Sequence, residues 1–122
     1  SAPETIAQYY MEDMRHRKKE ALKLLLLNMK TKLIGESELS LGTINTTLVS
    51  PREVFAEALR RNAAAVILLH NHPSGDPTPS REDVLATRRV IDAGKIIGIE
   101  LLDHIIIGDN CFISLRDKGF FK

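Results

Sequence analysis

The chain has 122 residues, 43% of them hydrophobic, and a formal net charge of +1. That describes one globular domain able to bury roughly 65–70% of its unfolded surface without covalent staples. It excludes a helical membrane span, since no apolar run approaches the ~20 residues required, and it gives no strong electrostatic footprint for nucleic acid.

The opening SAPETIAQYY lacks the basic and apolar blocks of a secretory signal. The first stretch, Pro3 to about Glu20, is expected to be a helix, with Ile6, Tyr9, Tyr10 and Met14 near helical spacing. The basic run Arg15-His16-Arg17-Lys18-Lys19 reads as a solvated face. Ala21 to Leu27 (ALKLLLL) is apolar and short, and the Asn28–Thr31 break makes it a buried strand followed by a turn. Lys32 to Leu39 returns as a second strand with Leu33 and Leu39 facing inward, and the Thr-, Ile- and Val-rich Gly42 to Val49 reads as a third.

Ser50 is a good N-cap, Pro51 suits the first helical position, and Glu53 completes a capping box. The helix they start carries Val54, Phe55, Ala58 and Leu59 as its apolar stripe and stops at Asn62. Ala64 to Leu69 (AAVILL) is a buried strand that runs straight into His70. A loop with three prolines and a glycine spans Asn71 to Pro79. Ser80 then opens a helix expected to end at Ala93-Gly94. Ile99 to Ile107 and Cys111 to Leu115 are the last strands, joined by the turn Gly108-Asp109-Asn110. Cys111, the sole cysteine, reads as core packing. It rules out an intrachain disulfide, fits a reducing compartment and points to the cytoplasm. The order of elements predicts an α/β or α+β sandwich with a mixed sheet.

Chemistry concentrates in His70-Asn71-His72-Pro73-Ser74-Gly75-Asp76-Pro77-Thr78-Pro79-Ser80-Arg81-Glu82-Asp83. Two histidines one residue apart in extended backbone point to the same side and can share a metal. The stiff loop delivers Asp83 in the first turn of the next helix, where its carboxylate can be a third ligand. Two imidazoles and a carboxylate, with the fourth position open to water, form a familiar catalytic zinc set. The plainer alternatives stay open: the histidines can simply begin a surface loop, and Ser80 with Asp83 is close to a capping box. In LLDHIIIG, Asp103 and His104 point to opposite faces, so at most one of them reaches the core or the site; the plainer reading is a buried polar residue satisfied by backbone, the functional one a contact to a zinc-binding histidine from behind.

The pattern H-x-H-P, then Ser80, then Asp83, resembles the JAMM (MPN+) metalloprotease signature. The text PREVFAEALRRNAAAVILLHNHPSGDPTPSREDV followed by LLDHIIIG resembles the RadC family in particular, and the similarity runs from about Glu20 to the C-terminus. The resemblance implies a cytidine-deaminase-like (JAB/MPN-like) mixed sheet sandwiched by helices. It implies that His70, His72 and Asp83 bind Zn2+, that Ser80 stabilises a tetrahedral intermediate, and that an upstream glutamate is the general base. Glu20 is the best match for that base, although Lys23 stands where the family usually has glycine; Glu38 and Glu36 are alternatives. Residues 1–20 are then an N-terminal helix or linker and residues 21–122 the metallohydrolase domain. The expected activity is hydrolysis of peptide or isopeptide bonds in a peptide or protein substrate. The rival expectation is a non-catalytic DNA- or protein-binding module of a repair protein, with DNA contact through the helix-hairpin-helix segment that RadC-like proteins commonly carry upstream.

Overall fold

A strand hidden on both faces must be apolar at every position, because neither side of the pleat meets water. Residues 65–71, AVILLHN, obey this up to the point where two polar residues replace the aliphatic ones, and all seven are buried. The computed structural model of the chain describes residues 2–39 and 49–121. Along it lie α1 (Pro3–Met14), β1 (Leu22–Leu27), β2 (Leu33–Leu39), α2 (Pro51–Arg60), β3 (Ala65–Asn71), α3 (Arg81–Ile97), β4 (Glu100–Ile107) and β5 (Phe112–Ser114). None of the helices described is long and apolar enough to cross a membrane.

The strands form one sheet in the order β2-β1-β3-β4-β5. β3 and β4 run parallel, connected through α3, while the other neighbouring pairs are antiparallel. The expected mixed sheet flanked by helices is therefore present. One face packs Leu22, Leu24, Leu26, Val66 and Leu68 against Val54, Phe55 and Ala58 of α2 and Ala86 and Val90 of α3. The other packs Leu25, Leu27, Ile67, Leu69, Ile105 and Ile107 against Ala7, Tyr10 and Met14 of α1. Each fully buried Leu or Ile contributes about 1.5–3 kcal/mol, so the two layers supply the main driving force for folding.

The β3–β4 register skips a residue: Val66 pairs with Leu101, but Ile67 pairs with Asp103. Leu102 is the extra residue of a bulge, and a bulge reverses which face later side chains take. Leu101 joins the α2/α3 core, yet Ile105 and Ile107 join the α1 core. His104, of opposite parity to Ile105, is thereby turned toward α3 and Asp103 away from it, and both are buried, at 2% and 5% exposure, so the expectation that at most one of them reaches the interior is corrected: the two faces of β4 are both covered.

Several local expectations are corrected. α1 stops at Met14 rather than near Glu20. The basic residues beyond it leave the helix and pair with acids, Arg15 with Asp109 and Arg17 with Asp13 and Glu38. Leu33 faces solvent at 52% exposure, because β2 is one of the two edge strands of the described sheet and Leu33 lies at its start. The hydroxyl of Ser50 caps α2 by accepting from the Arg52 N–H, two residues on, so no capping box forms with Glu53. Leu59 is 60% exposed and lies outside the buried stripe of α2. α3 runs past Gly94 to Ile97 and ends on Gly98, whose φ of 89° is the left-handed value a C-cap requires. Cys111 is exposed rather than in the core, since β5 begins one residue later. Of the expected third strand, residues 42–48 lie outside the described residues, and Val49 is a buried core residue with no strand pairing.

Gly94 has a packing reason for being inside a helix. A Cβ there would collide with the Ile99 carbonyl oxygen and press within 3.2 Å of the Phe55 ring. Alanine would gain about 1 kcal/mol of helix propensity, against about 1–3 kcal/mol for overpacking a tight contact. We expect Gly94→Ala to lower stability by up to about 2 kcal/mol, the net of these two effects, read as a reduced urea midpoint; a midpoint above that of the wild type would contradict the close approach of α3 to the start of β4.

Candidate metal centre

His70 and His72 sit where β3 ends. His70 is 1% exposed, and the two imidazoles lie edge to face with centroids 5.0 Å apart. Beyond the strand, the backbone N–H of His72 still donates to Ile107 of β4 at 2.9 Å, so the second histidine is held as firmly as the first. Asn71, between them, points the other way and does different work. Its Oδ1 accepts from the Ala21 N–H at 2.6 Å, and its Nδ2 donates to the Lys19 carbonyl at 3.2 Å. It thus clamps the backbone on either side of Glu20, just ahead of β1, whose Leu22 pairs with His70. Glu20 Oε1 consequently lies 2.5 Å from His70 Nε2.

The loop after His72 returns to the same place. Gly75, with φ of +91°, turns the chain and donates its N–H to the His72 carbonyl at 2.9 Å. The Asp76 carbonyl faces His72 Nδ1 at 2.9 Å. At the start of α3 the Ser80 hydroxyl accepts from the Asp83 N–H at 3.0 Å, and the Ser80 N–H donates to Asp83 Oδ2 at 2.9 Å. This is the full capping box, and it locks Asp83, 2% exposed, with Oδ2 3.1 Å from His72 Nε2 and Oδ1 3.8 Å from His70 Nδ1.

A carbonyl can only accept, so the hydrogen between Asp76 and His72 is on Nδ1. In a neutral ring Nε2 is then a bare lone pair, aimed at a carboxylate oxygen 3.1 Å away. Two acceptors at that distance repel unless a cation lies between them, either a proton on His72 or a metal ion. Glu20, His70 and His72 each bring one ligand atom to within 4.8 Å of the others, and Asp83 borders both imidazoles. Nitrogen and carboxylate donors in this number suit zinc, so the residues fit a divalent metal.

Electrostatics follow the same contacts. The hydrogen bond to Asp83 raises His72 above its ordinary 6.5, against burial and with help from the Asp76 carbonyl. Burial works to raise the Asp83 carboxyl, but hydrogen bonds from His72 and Ser80 and the charge at His70 outweigh it and hold it well below the usual carboxylate range. Burial also pushes the His104 imidazole down to about 3, the charge at His70 adding to the effect. Asp103 is raised by burial and is engaged elsewhere, by Ser114 Oγ at 2.6 Å and the Arg116 N–H at 3.1 Å.

All five residues singled out in the sequence, Glu20, His70, His72, Ser80 and Asp83, thus converge. Glu36 and Glu38 do not: Glu36 bonds Tyr10 and Lys23, and Glu38 bonds Arg17. Asn71 and Asp76 are parts of the site that the sequence does not announce. The first acts through hydrogen bonds to residues some fifty positions away, and the second through its backbone, which side-chain chemistry does not reveal.

A family model described as a RadC-like JAB domain matches residues 1–120. A UPF0758 protein of Caldanaerobacter subterraneus subsp. tengcongensis is 52% identical over 121 residues, covering 99% of this chain and 52% of that protein. UPF0758 proteins of Bacillus cereus strain B4264 and of Desulforamulus reducens are each 56% identical, over 118 and 117 residues, covering 97% and 96% of this chain and 52% of their own length. The chain spans about half the length of the curated relatives it matches.

The His72–Asp83 pair makes the metal-free domain sensitive to pH in a defined direction. His72 is raised, so its stabilisation is complete below 6.5 and is lost as pH climbs through the raised value. Asp83 is depressed, so its stabilisation is present above 3.8 and is lost as pH falls through the depressed value. Thermal melts of metal-free protein should show this contribution fullest between those two pH values, and Asp83→Asn should abolish the decline on the alkaline side. An unchanged alkaline decline in that variant would mean the pair does not share a proton.

Proposed function

This chain belongs to the RadC-like JAB domain family, and from that premise we propose that it is a cytoplasmic, zinc-dependent hydrolase of peptide or isopeptide bonds. The observation that carries the reading is a cleft of about 480 Å³, lined by Glu20, His72, Pro73, Ser74, Ser80, Glu82 and Asp83. Glu20 of this lining meets the imidazole of the buried His70 at 2.5 Å. His70, His72 and the Asp83 carboxylate would hold the metal. When bound, zinc supplies a Lewis acid that polarises a substrate carbonyl and acidifies a water molecule.

The remaining work belongs to the chain. Glu20, whose side chain is 27% exposed, reaches the cleft from the clamped segment ahead of β1. Its carboxylate takes a proton from the attacking water and passes it to the departing nitrogen, so that water is added across the C–N bond. The hydroxyl of Ser80 uses a lone pair to cap Asp83. Its O–H, which donates to no acceptor among the described residues, can donate to the oxygen that gains negative charge at the reacting carbonyl. Capping and catalysis are therefore compatible in one residue. The rival reading, a DNA-binding surface on this domain, has less support, because Arg15 and Arg17 of the basic run are already paired with Glu12, Asp13, Glu38 and Asp109.

Elemental analysis of purified protein should find about one zinc per wild-type chain, as a single three-ligand site requires, and little in His72→Ala. Glu20→Gln should keep its zinc while amide hydrolysis falls by roughly 10²–10⁴-fold. Wild-type protein that takes up no zinc after reconstitution would end the hydrolase reading; full activity in Glu20→Gln would end the role given to that residue alone.

A further inference from the structure

Beyond the proposed ligands lies a buried polar chain that the mechanism does not use. Thr87, one turn along α3 from Asp83, has its Oγ1 2.7 Å from the Asp83 carbonyl oxygen and 2.6 Å from His104 Nδ1. A threonine hydroxyl has one hydrogen and a carbonyl can only accept, so that hydrogen goes to Asp83. Toward His104 the hydroxyl must then accept, and His104 carries its own hydrogen on Nδ1. This leaves Nε2 of the neutral ring as a bare acceptor.

Nε2 of His104 and Nδ1 of His70 are the two buried side-chain polar atoms without a hydrogen-bond partner among the described residues. Their rings are neighbours, with centroids 5.7 Å apart and planes tilted by 36°. A carboxylate only accepts, so in the metal-free site the hydrogen facing Glu20 is on His70 Nε2; a metal held through Nε2 would take its place and leave the hydrogen on Nδ1, so that His70 would then hold a donor without an acceptor beside His104, an acceptor without a donor. Asp83 Oδ1, at 3.8 Å, is too far from His70 Nδ1 to take the hydrogen. The Leu102 bulge is what brings His104 rather than Asp103 to this side of the sheet.

We propose that His104 is a positioning residue whose Nε2 accepts the Nδ1 hydrogen of His70, closed by a small ring rotation or one buried water, and so holds His70 in the tautomer that presents Nε2 to the metal. The relay runs Asp83 carbonyl, Thr87, His104, His70, linking the helix that carries one ligand to the strand that carries another. It rests on the metal-centre reading above. Groups of this kind orient a liganding imidazole and typically alter metal affinity by 10–100-fold.

Nitrogen-15 NMR of wild-type, metal-free protein should show His104 with its hydrogen on Nδ1. Zinc affinity, measured by competition with a chelating dye, should fall by roughly 10–100-fold in His104→Phe and be largely restored in His104→Gln, whose amide oxygen can take the place of Nε2. A purely structural role for His104 would give no such rescue. Should His104→Phe fail to fold, Thr87→Val serves instead: with its acceptor gone, His104 should lose its single tautomer and zinc affinity should drop. A hydrogen on Nε2 of wild-type His104, or a folded His104→Phe protein with wild-type zinc affinity, overturns this inference alone. Wild-type protein that binds no zinc overturns it together with the metal centre.

Discussion

β3 is hydrogen-bonded along both edges and covered on both faces, and the functional groups are all referenced to it. Its C-terminal end holds His70 directly. Its β1 edge brings the segment with Glu20 alongside. Its β4 edge brings His104, and the loop and helix that connect it to β4 return Ser80 and Asp83. A strand hidden on every side can neither slide nor rotate without exposing Val66, Leu68 or Leu69 and breaking two ladders. Charged and polar groups that would be costly to bury one at a time are therefore held against each other at the single place where the apolar run ends.

That crowding produces the chemistry. Carboxylates and imidazoles that point lone pairs at one another are stable only with a cation among them, and the fold leaves few other ways to satisfy them. The backbone N–H of Ser80, just ahead of α3, already neutralises part of Asp83, and the Asp76 carbonyl dictates which nitrogen of His72 is bare. The protein thereby sets the protonation pattern of the site before any ligand arrives, and the ordering cost is met during folding rather than at binding.

Much of this could be read from residues alone where a local rule applied. The alternation of His70 and His72, the Ser80–Asp83 cap, the apolar strands and the mixed sheet needed only periodicity and capping chemistry, and the resemblance to the RadC family singled out Glu20 over Glu36 and Glu38. What escaped depended on contacts distant in sequence. Gly94 looks like a helix stop until Phe55 and Ile99 are seen to need the space. Asn71 looks like a spacer between two histidines until its amide is found bonded on either side of Glu20, some fifty residues away. The facing of His104 depends on an extra residue in β4 that no hydrophobic pattern announces, since Leu101 and Leu102 are equally apolar.

That extra residue makes β4 sensitive to length rather than to composition. Replacing Leu102 by another apolar side chain leaves the parity of the strand intact. Removing it would act as a frameshift in space: Asp103 would swing toward Thr87 and His70, His104 would swing toward α1, and Ile105 and Ile107 would exchange layers with Ile106. A neutral imidazole would give way to a carboxylate behind His70, with no change in the residues of the histidine motif. In proteins built on this sheet, the spacing between the β3 histidines and the Asp-His pair of β4 therefore carries information that their identities do not.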